Sequence, residues 1–461
     1  MKSVLLNSRR IISSGRWDYD YNQESYVEFE QLLESLPTAP LQDLTKYPIT
    51  KGETPLWKGD KYVNEDEGVL FIRSENIRDH GLDLGAKTFI PQLVHKRMKR
   101  SQIKPKDILL AIVGATIGQV AVVPEDIVAA NCNQAVSIIR LKDDINPLYI
   151  QTVLKSSFGQ TQIRRFSGGS ARPNLDLWEV RLLRIPLLAR KVQDRIAQIM
   201  QAAYETRKQK LLEITTVIKD IDDFVFAELG INVDKIIRPK SSFKHISEIA
   251  GGRFDFEAVM ANINLEFNGI TSTSLNTVAK KVTEHILPPK ECPDDDVNYI
   301  SLGHIEANTG EIVDFEPVKG TEVLSSSTKF SKGDILFGRM RPYLNKVWTA
   351  EFDGICTGEA IVLRPDLEKV DTAFLHALLM SRLTLNQIIP FQSGTSLPRV
   401  SPSHILDVKL PIPEDLNFQK KISAEIIQRR NKAKQLKSEF EQLVISSRKQ
   451  VERIILGEAI E

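Results

Sequence analysis

The sequence lacks most of the features by which a secreted, membrane-bound or metal-centred protein is recognised. It has only 3 cysteines in 461 residues and no Cys-x-x-Cys pair, which argues against a disulfide framework and against a structural zinc site. No apolar run approaches the roughly 18 residues needed to cross a membrane. The first residues do not resemble a signal peptide, because Arg9 and Arg10 follow a very short apolar run. We therefore expect a cytoplasmic protein.

The motifs of several self-sufficient enzyme classes are missing as well. There is no Gly-x-Gly for a dinucleotide, no Gly-x-x-x-x-Gly-Lys-[Ser/Thr] loop for nucleotide phosphates and no His-Glu-x-x-His for zinc. The Asn-Pro-Pro-aromatic signature of adenine methyltransferases is also absent. The one [Asp/Glu]-x-Lys triplet, Asp407-Val408-Lys409, falls in a predicted strand and is a poor nuclease element. These absences favour a binding role over catalysis by this chain.

The composition is that of an ordinary globular protein. With 461 residues, 42% hydrophobic and 26% charged, the chain is long enough for more than one domain. Its net charge of +1 neither suggests nor excludes a polyanionic partner. Any basic footprint must therefore be local.

An internal repeat covers most of the chain. The motif that holds Arg16 and Asp18 returns later with Arg253 and Asp255. Four further matches follow in the same order at a nearly constant offset: FIRSENIRDHG with YISLGHIEANTG, Asp107-Ile108-Leu109 with Asp334-Ile335-Leu336, Gln193 with Gln419, and Ile196 with Ile422. Because the matches keep one order and a nearly constant offset, we interpret them as a duplication. Such a repeat decides the architecture of the fold.

Each copy begins with a β-rich part. Short β-branched runs bounded by Gly, Pro and Asp predict strands, for example DILLAIVG, AVSIIRL, DILFGRM and AIVLRP. The passage FSGGSARPNLDLWEVRLLRIPLL and its second version, FQSGTSLPRVSPSHILDVKLPIP, close this part. They predict a polar loop followed by an edge strand that a proline ends.

A long charged segment with an apolar stripe follows in each copy. The apolar residues step by four and three, which is typical of a coiled-coil seam, and each segment stops at Leu-Gly, where glycine can adopt a left-handed cap. We predict helices over 188–230 and 414–461 that pair antiparallel, because neither can bury its stripe alone. The β-rich domains then cover 1–187 and 246–413, with a linker at 231–245.

Three groups of residues suit nucleic-acid binding, in which Lys and Arg neutralise phosphates while Arg, Asn and Gln contact base edges. The first is a basic run, the second a loop that differs between the copies, and the third the polar loop that leads out of each β-rich part. The candidate DNA-binding residues are Lys96, Arg97, Lys99, Arg100, Thr116, Gln119, Ser170, Arg172, Asn174, Arg339, Arg341, Tyr343, Asn345, Lys346, Thr395, Ser396 and Arg399.

Plainer interpretations stay open for each group. The basic run at 96–100 is most often a solvated face, and Arg339 and Arg341 can pair with Glu351 or Asp353. The polar exit loops can be simple connections. Recurrence at the same place in two copies, rather than any single residue, is what favours the functional interpretation.

In order and duplication these motifs resemble the specificity (S) subunit of type I restriction–modification systems. The matching features are the Arg-x-Asp opening, the GDIL…R strand and loop, the Ser-Gly loop before IPL or LPIP, and the Gln-x-x-Ile helix. The first copy departs from the second, because it has Lys106-Asp107 in place of Gly333-Asp334 and lacks the Arg-x-Arg-Pro sequence.

The resemblance implies an α+β fold in which two β-rich target-recognition domains are separated by an antiparallel two-helix coiled coil, with internal pseudo-two-fold symmetry. Each domain would recognise one half of a split double-stranded DNA target. Two methyltransferase (M) subunits, which carry S-adenosylmethionine, would dock on the chain, and motor–nuclease (R) subunits would complete a restriction complex. The chain itself would be non-catalytic and would hold neither a cofactor nor a metal.

Two other functions stay open on the residues alone. One is a self-contained DNA methyltransferase or nuclease that lacks recognisable motifs. The other is a coiled-coil scaffold whose end domains bind proteins.

Overall fold

A computed structural model describes residues 22–55, 59–85, 87–168, 174–231, 270, 272–283, 285–286 and 295–458. Both Arg-x-Asp motifs and nearly all of the predicted linker lie outside these residues.

The α-helices of the described residues are α1 Glu24–Ser35, α2 Gln92–Arg97, α3 Pro147–Lys155, α4 Ser157–Ser167, α5 Leu177–Leu182, α6 Arg190–Glu228, α7 Leu275–Val278, α8 Thr372–Met380, α9 Arg382–Ile388, α10 Pro402–Leu406 and α11 Leu416–Ile455. The strands up to the first long helix are β1 Thr38–Pro40, β2 Thr50–Lys51, β3 Gly68–Ile72, β4 Ile77–Arg78, β5 Gly81–Leu82, β6 Phe89–Pro91, β7 Gln102–Ile103, β8 Ile108–Ala111, β9 Val120–Val122, β10 Ala130–Cys132, β11 Val136–Ile139 and β12 Arg184–Pro186. The later strands are β13 Ser272–Ser274, β14 Ala279–Lys281, β15 His285–Ile286, β16 Asp296–Val297, β17 Tyr299–Ile300, β18 Val318–Lys319, β19 Ser327–Phe330, β20 Ile335–Gly338, β21 Val347–Thr349, β22 Gly354–Thr357, β23 Ala360–Pro365 and β24 Lys409–Pro411.

The chain divides into two compact units. The first comprises Met1–Gln209 with Glu439–Glu461, and the second comprises Lys210–Ser438. Each unit therefore takes a β-rich part together with half of each long helix. The sequence predicted the helices as separate segments, whereas each half packs into the core of the unit to which it belongs.

The central sheet has the same strand order in both units. The order is β2–β11–β8–β9 in the first unit and β14–β23–β20–β21 in the second, with every neighbouring pair antiparallel. A second four-stranded sheet contains one parallel pair in each unit, β3 with β10 and β17 with β22. Only its edge differs, because β6 pairs with β3 whereas β15 pairs with β19. The predicted α+β fold and its internal repeat are confirmed.

The middle strands of the central sheet are buried on both faces. Ile108 and Leu110 of β8 belong to one core cluster, and Leu109 and Ala111 belong to another, since successive side chains of a strand point to opposite faces. Strand β20 divides its side chains between two clusters in the same way. Burial on both faces explains why these strands appear in the sequence as continuous apolar runs.

A buried aspartate pairs with an arginine at the start of the middle strand in each unit. Asp107 and Asp334 are 1% and 2% exposed. Arg140 donates to Asp107 through Nε and Nη2, both at 2.6 Å, and Arg364 donates to Asp334 through the same atoms, both at 2.8 Å. Each aspartate also accepts a backbone N–H from three residues earlier, at 2.7 and 2.8 Å. The repeated Asp-Ile-Leu motif is therefore structural.

The residue before each aspartate has a left-handed backbone, with φ of 70° at Lys106 and 92° at Gly333. Replacing Lys106 with glycine should remove about 1–2 kcal/mol of strain at an entropic cost of about 0.5–1 kcal/mol. Lys106→Gly is thus expected to stabilise the protein modestly in chemical denaturation, since the ion pair of Lys106 with Glu125 is exposed and contributes little. The reverse change, Gly333→Lys, should destabilise it. Two shifts of the same sign would contradict this account.

The long helices run antiparallel in the first unit. Arg207 of α6 lies 5.4 Å from the ring centre of Phe440, and Tyr204, one turn earlier, accepts a hydrogen bond from Arg448 at 3.4 Å. The contacts thus move forward along α11 as they move back along α6. The buried apolar residues that join these helix halves to the core are Ile196, Met200, Val451 and Ile455.

The second unit repeats this antiparallel pairing with the other halves of the helices. Lys432 pairs with Glu213 at 2.9 Å, and Arg429 donates to the carbonyl of Asp220 at 3.2 Å. The buried apolar residues here are Ile221, Val225, Ile422 and Ile426. The coiled-coil stripe predicted from the sequence is therefore confirmed in each half.

The repeated glutamines tie each β-rich part to its long helix. Gln193 accepts the N–H of Asn146 at 3.1 Å, and Gln419 accepts the N–H of Asp371 at 2.8 Å. Each glutamine also donates to a carbonyl five or six residues earlier, at 2.8 and 2.7 Å. Asn146 and Asp371 are the N-caps of α3 and α8, so the Gln-x-x-Ile motif positions the helix that packs behind the central sheet.

The repeated segment FIRSENIRDHG/YISLGHIEANTG also contacts the long helices. In the first unit Asp79 pairs with Arg448 at 2.5 Å, and in the second Glu306 pairs with Lys437 at 3.1 Å. This motif, like the glutamine, therefore mounts each β-rich part on the helix pair.

Lys155 is a buried cation beside this contact. Its Nζ donates to the carbonyl of Asp79 at 2.5 Å and lies 5.1 Å from the ring centre of Tyr204. Burial lowers the pKa of Lys155 to about 7; the nearby Asp79 acts in the opposite direction, while Arg448 and Arg207 lower the pKa further.

The stability contribution of Lys155 should depend on pH. Because its folded pKa of about 7 lies below the unfolded value, the charged form destabilises the fold fully below about pH 7, and this penalty disappears as pH rises towards about 10.5. Relative to Lys155→Met, the wild type should gain stability on the order of a few kcal/mol between about pH 7 and about pH 10. Thermal unfolding measures this difference. Lys208→Met, an exposed change on α6, is the control, and equal pH profiles for the two variants would contradict the account.

Two predictions of local structure were wrong. The passage from Leu177 forms a short helix, α5, capped by Asp176 and Glu179, and only Arg184–Pro186 is a strand. In the second copy α10 replaces most of the predicted strand, and Asp407 lies at its C-terminal end rather than in β24. A capping pair, which forms a helix start, overrode the apolar pattern.

The remaining chemistry of the described residues is limited. Cys132 and Cys356 are buried free thiols, and burial raises the pKa of both, that of Cys356 to about 12. Among the helices in this part of the chain, none combines the length and apolar character that crossing a bilayer requires. Within the same residues, no cluster of three or more His, Cys, Asp or Glu side chains is placed to hold a metal ion.

Candidate nucleic-acid interface

Two loops meet at one edge of the central sheet in each unit. We call residues 112–119 and 339–346, which follow the middle strand, the central loops. Residues 168–174 and 391–401, which lead out of the β-rich part, are the exit loops; residues 169–173 lie outside the described residues. The central and exit loops carry most of the candidate residues.

Backbone hydrogen bonds join the central and exit segments identically in the two units. The N–H of Leu175 donates to the carbonyl of Ile112 at 2.9 Å, and the N–H of Val400 donates to the carbonyl of Arg339 at 3.0 Å. Isolated β-bridges at the next residues continue both contacts. The loops, distant in sequence, therefore form one surface in each unit.

A third segment joins this surface from the neighbouring strand. The N–H of Ile112 donates to the carbonyl of Ala135 at 2.8 Å, and the N–H of Arg339 donates to the carbonyl of Glu359 at 2.9 Å. Ala135 and Glu359 are thus equivalent positions, although one is apolar and the other charged.

The central loop of the second unit is held in an unusual backbone conformation. Arg341 and Asn345 both have φ of 50°, with the short 3-10 helix Pro342–Leu344 between them. The N–H of Arg341 donates to the carbonyl of Pro398 in the exit loop at 2.7 Å. Left-handed residues other than glycine persist where surrounding contacts impose them, so this loop is preorganised.

Two of the predicted DNA-contacting residues of this loop instead bond to carbonyls of the protein, which leaves them less available to DNA. Asn345 is 8% exposed, and its Nδ2 donates to the carbonyl of Met380 at 2.7 Å. Lys346 donates from Nζ to the carbonyl of Leu302 at 2.5 Å, and burial lowers its pKa. Both side chains brace the loop from behind.

Arg399 is also bound within the protein. Its Nε lies 3.0 Å from each oxygen of Glu359, its Nη2 donates to Glu359 at 2.8 Å, and its Nη1 donates to the carbonyl of Leu397 at 3.0 Å. Arg339 is a second cation beside the same carboxylate, with Nε 3.4 Å from Glu359 Oε2. The arginines hold the pKa of Glu359 low, chiefly through the hydrogen bond from Arg399. The predicted ion-pair partners Glu351 and Asp353 were therefore wrong, because Glu359 takes this role.

Four candidates of the second unit are exposed. Arg341 and Tyr343 project from the central loop, Tyr343 with 49% of its surface accessible. Thr395 and Ser396 are exposed in the exit loop, and Arg341 reaches the carbonyl of Ser396 at 3.4 Å. These side chains offer one cation, one aromatic ring and two hydroxyls on a single surface.

The first unit presents a different surface. Its central loop, IVGATIGQ, contains no Lys or Arg, and Thr116 and Gln119 are partly exposed there beside the exposed Val113. Asn174 is exposed and donates to Asp176 at 3.2 Å. Ser170 and Arg172 lie outside the described residues.

The sequence matches the family described as Type I restriction modification DNA specificity domain over residues 40–216 and 273–442. The chain belongs to this family. Both matched regions begin in a β-rich part and end in a long helix, so the family domain occurs once in each copy of the repeat.

Two curated specificity subunits are similar in sequence. The Type I restriction enzyme EcoDI specificity subunit of Escherichia coli is 31% identical over 115 residues, which cover 25% of this chain and 25% of that protein. The EcoBI specificity subunit of Escherichia coli is 30% identical over 161 residues, 34% of this chain and 33% of that protein. The matches thus span about a quarter to a third of the relatives' lengths.

Solved structures of type I restriction–modification proteins are also similar. A structure that describes complex assembly and conformational transition of the type I R-M system has a TM-score of 0.44 and 15% identity, and covers 92% of this chain and 99% of that chain. The S subunit from M. genitalium has a TM-score of 0.43 and 14% identity, and covers 91% and 95%.

The basic run of this specificity-domain protein is at the surface. Lys96, Arg97, Lys99 and Arg100 are all exposed on α2 and the 3-10 turn that follows it. Arg97 pairs with Asp60. Lys96, Lys99 and Arg100, for which the described residues provide no such ion pair, thus remain as candidate phosphate contacts.

The residue that sequence reasoning missed is Glu359. A single acidic residue before a strand carries no motif, and its role depends on two arginines 20 and 40 positions away. Comparison of the two copies offers a signal, since an apolar residue of one copy is equivalent to a charged residue of the other.

Asn345 provides a test of which side chains are structural. Asn345→Ala removes a buried hydrogen bond and strains a left-handed position, so it should destabilise the protein by about 1–3 kcal/mol. Asn345→Gly keeps the backbone conformation and should cost less. Tyr343→Ala, on the exposed side of the same loop, is the control and should leave the denaturation midpoint unchanged. If Asn345→Ala is as stable as that control, the inward assignment is wrong.

Proposed function

We propose that this chain recognises a double-stranded DNA target in two parts, one part contacted by each unit, and directs partner methyltransferase subunits to it. One observation carries the proposal. The two units keep the same strand order, Asp–Arg pair and glutamine contact, yet differ at the three segments that meet at one sheet edge. A duplicated framework with different exposed loops suits two different half-targets.

The chemistry of the second unit favours contacts with polar base edges and phosphates. An arginine forks onto the two acceptors of guanine, and hydroxyls bond to either bases or phosphates. Arg341, Thr395 and Ser396 supply these groups, and the ring of Tyr343 adds a stacking surface. The preorganised backbone reduces the ordering cost of binding.

The chemistry of the first unit favours a different half-target. Thr116 and Gln119 offer an apolar methyl group and an amide, groups that suit the thymine methyl and adenine. Phosphate contacts would come from Lys96, Lys99 and Arg100. The two halves of the target should therefore differ in sequence.

The remaining functions of the complex belong to partners in this proposal. Two M subunits would bind S-adenosylmethionine and transfer the methyl group, and R subunits would add translocation and cleavage. This chain would be non-catalytic and would act in the cytoplasm, where its DNA partner would lie. A protein scaffold is the less favoured function, because scaffolding does not explain why the equivalent loops differ so strongly.

Substitutions in one unit should change one half of the target. The full chain is co-expressed with its methyltransferase subunits, and methylated sites are mapped by sequencing genomic DNA. Combining Arg341→Ala, Thr395→Ala and Ser396→Ala should relax one half-site while the other half stays intact. Thr116→Ala with Gln119→Ala should do the reverse. Each lost base contact should reduce discrimination by about 1–3 kcal/mol.

The control lies at the far end of the same strand. Lys332 is exposed in the turn before β20, opposite the central loop, so Lys332→Ala should leave both half-sites unchanged. If the loop variants alter both halves equally, the assignment of one half to each unit fails. Methyl transfer by the purified chain without partners would instead support a self-contained enzyme.

A further inference from the structure

We propose that Glu359 is a positioning residue that holds Arg339 to contact a guanine in the half-target of the second unit. This inference rests on the proposed DNA recognition. It identifies one base that is contacted and the side chain that contacts it. It starts from the three charged residues Arg339, Glu359 and Arg399, which lie where the central loop, the exit loop and the neighbouring strand meet.

The carboxylate of Glu359 is already committed. Arg399 occupies both of its oxygens, with three contacts at 2.8–3.0 Å, and uses its Nη1 for the carbonyl of Leu397. Arg399 is therefore satisfied inside the protein and is not free to bond a base. Glu359 already pairs with Arg399 through both oxygens, so it is less suited than a free carboxylate to accept a cytosine amino group.

This contact positions Arg339 but leaves hydrogen-bond donors of its guanidinium available. Its backbone is fixed on both sides, since its N–H donates to Glu359 and its carbonyl accepts from Val400. Its Nε lies 3.4 Å from the carboxylate without donating a hydrogen bond. Within the described residues no hydrogen bond engages its two Nη atoms, and 29% of the side chain is exposed. The guanidinium end is thus the available donor pair of the cluster.

The charge of the cluster suits DNA. A lone carboxylate at a DNA-binding surface would repel phosphates, but two arginines beside one glutamate leave one net positive charge. The glutamate lets two cations lie close together and limits the orientations of Arg339. A guanidinium fork matches the O6 and N7 acceptors of guanine in the major groove, and side chains held by their neighbours achieve the accuracy that such contacts need.

The first unit lacks this arrangement. The positions equivalent to Arg339, Glu359 and Arg399 are Ile112, Ala135 and Asn174, as the matching backbone hydrogen bonds and bridges establish. None of the three carries a charge. The guanine contact should therefore be confined to the half-target of the second unit.

The test is selection from a pool of random-sequence DNA duplexes by the full chain assembled with its methyltransferase subunits. Arg339→Ala should reduce the preference for guanine at one position of one half-site about 5- to 150-fold. Glu359→Gln should reduce the preference at that same position by at least about fivefold. The double variant should show no further loss there, because the glutamate acts through the arginine. Lys332→Ala is the control and should leave every position unchanged.

Each other outcome is decisive. A loss spread over all positions in Glu359→Gln would assign it a purely structural role, and a further loss at the guanine in the double variant would show that it acts without Arg339. If the complex selects a split target but Arg339→Ala changes the base preference at no position, this inference is overturned and the proposed function still stands. If the wild-type complex enriches no sequence at all, the proposed function itself fails.

Discussion

A carboxylate buried against an arginine at the start of the middle strand is the interaction on which each unit depends. Asp107 and Asp334 satisfy this role with the same pair of guanidinium bonds. Because each aspartate is buried, loss of its arginine would leave a buried charge unpaired, which is costly, so this end of the strand tolerates little change. The other end carries the central loop, where only backbone bonds are shared between the copies. One strand thus joins an anchor that the two copies share to a surface that differs between them.

The same division between framework and exposed loops explains which charged side chains are bound within the protein. Lys155 and Lys346 are turned inward onto carbonyls, and Arg399 onto a carboxylate. These side chains make their contacts within the protein, and they are unavailable to a polyanion. A sequence shows that a stretch is basic but not which cations are already paired, since the pairing is decided by residues far along the chain.

Much of the fold could be predicted from the sequence because its signals are periodic. The apolar stripes predicted helices over 188–230 and 414–461, and the helices span Arg190–Glu228 and Leu416–Ile455. The strands buried on both faces were equally clear. Short elements were harder, since the capping pair of Asp176 and Glu179 decides α5 over six residues.

The candidate interface was predictable only in outline. The sequence predicted which loops differ, but not that Asn345 faces inward or that Glu359 joins two arginines.

Some residues that play the same structural role in the two units do not align in the sequence repeat. Glu452 accepts the N–H of Ser157 at 2.8 Å, and Asp222 accepts that of Arg382 at 3.3 Å. The two acids serve the same helix start, yet they differ in residue type and lie one helical turn apart in the alignment of the repeats.

The near-neutral balance of the chain bears on how it would distinguish DNA sequences. A net charge of +1 provides little long-range attraction to phosphates, and non-specific affinity is almost entirely electrostatic. A chain with weak non-specific binding loses little time on wrong sites, so base contacts decide where it stays. The exposed cations among the candidate contacts lie at α2 and the turn after it in the first unit and at Arg341 in the second, where Arg339 is partly exposed. In the proposed function, specificity would come from where these candidate charges are held, and the Asp–Arg pairs, glutamines and inward lysines belong to the framework that holds the loops.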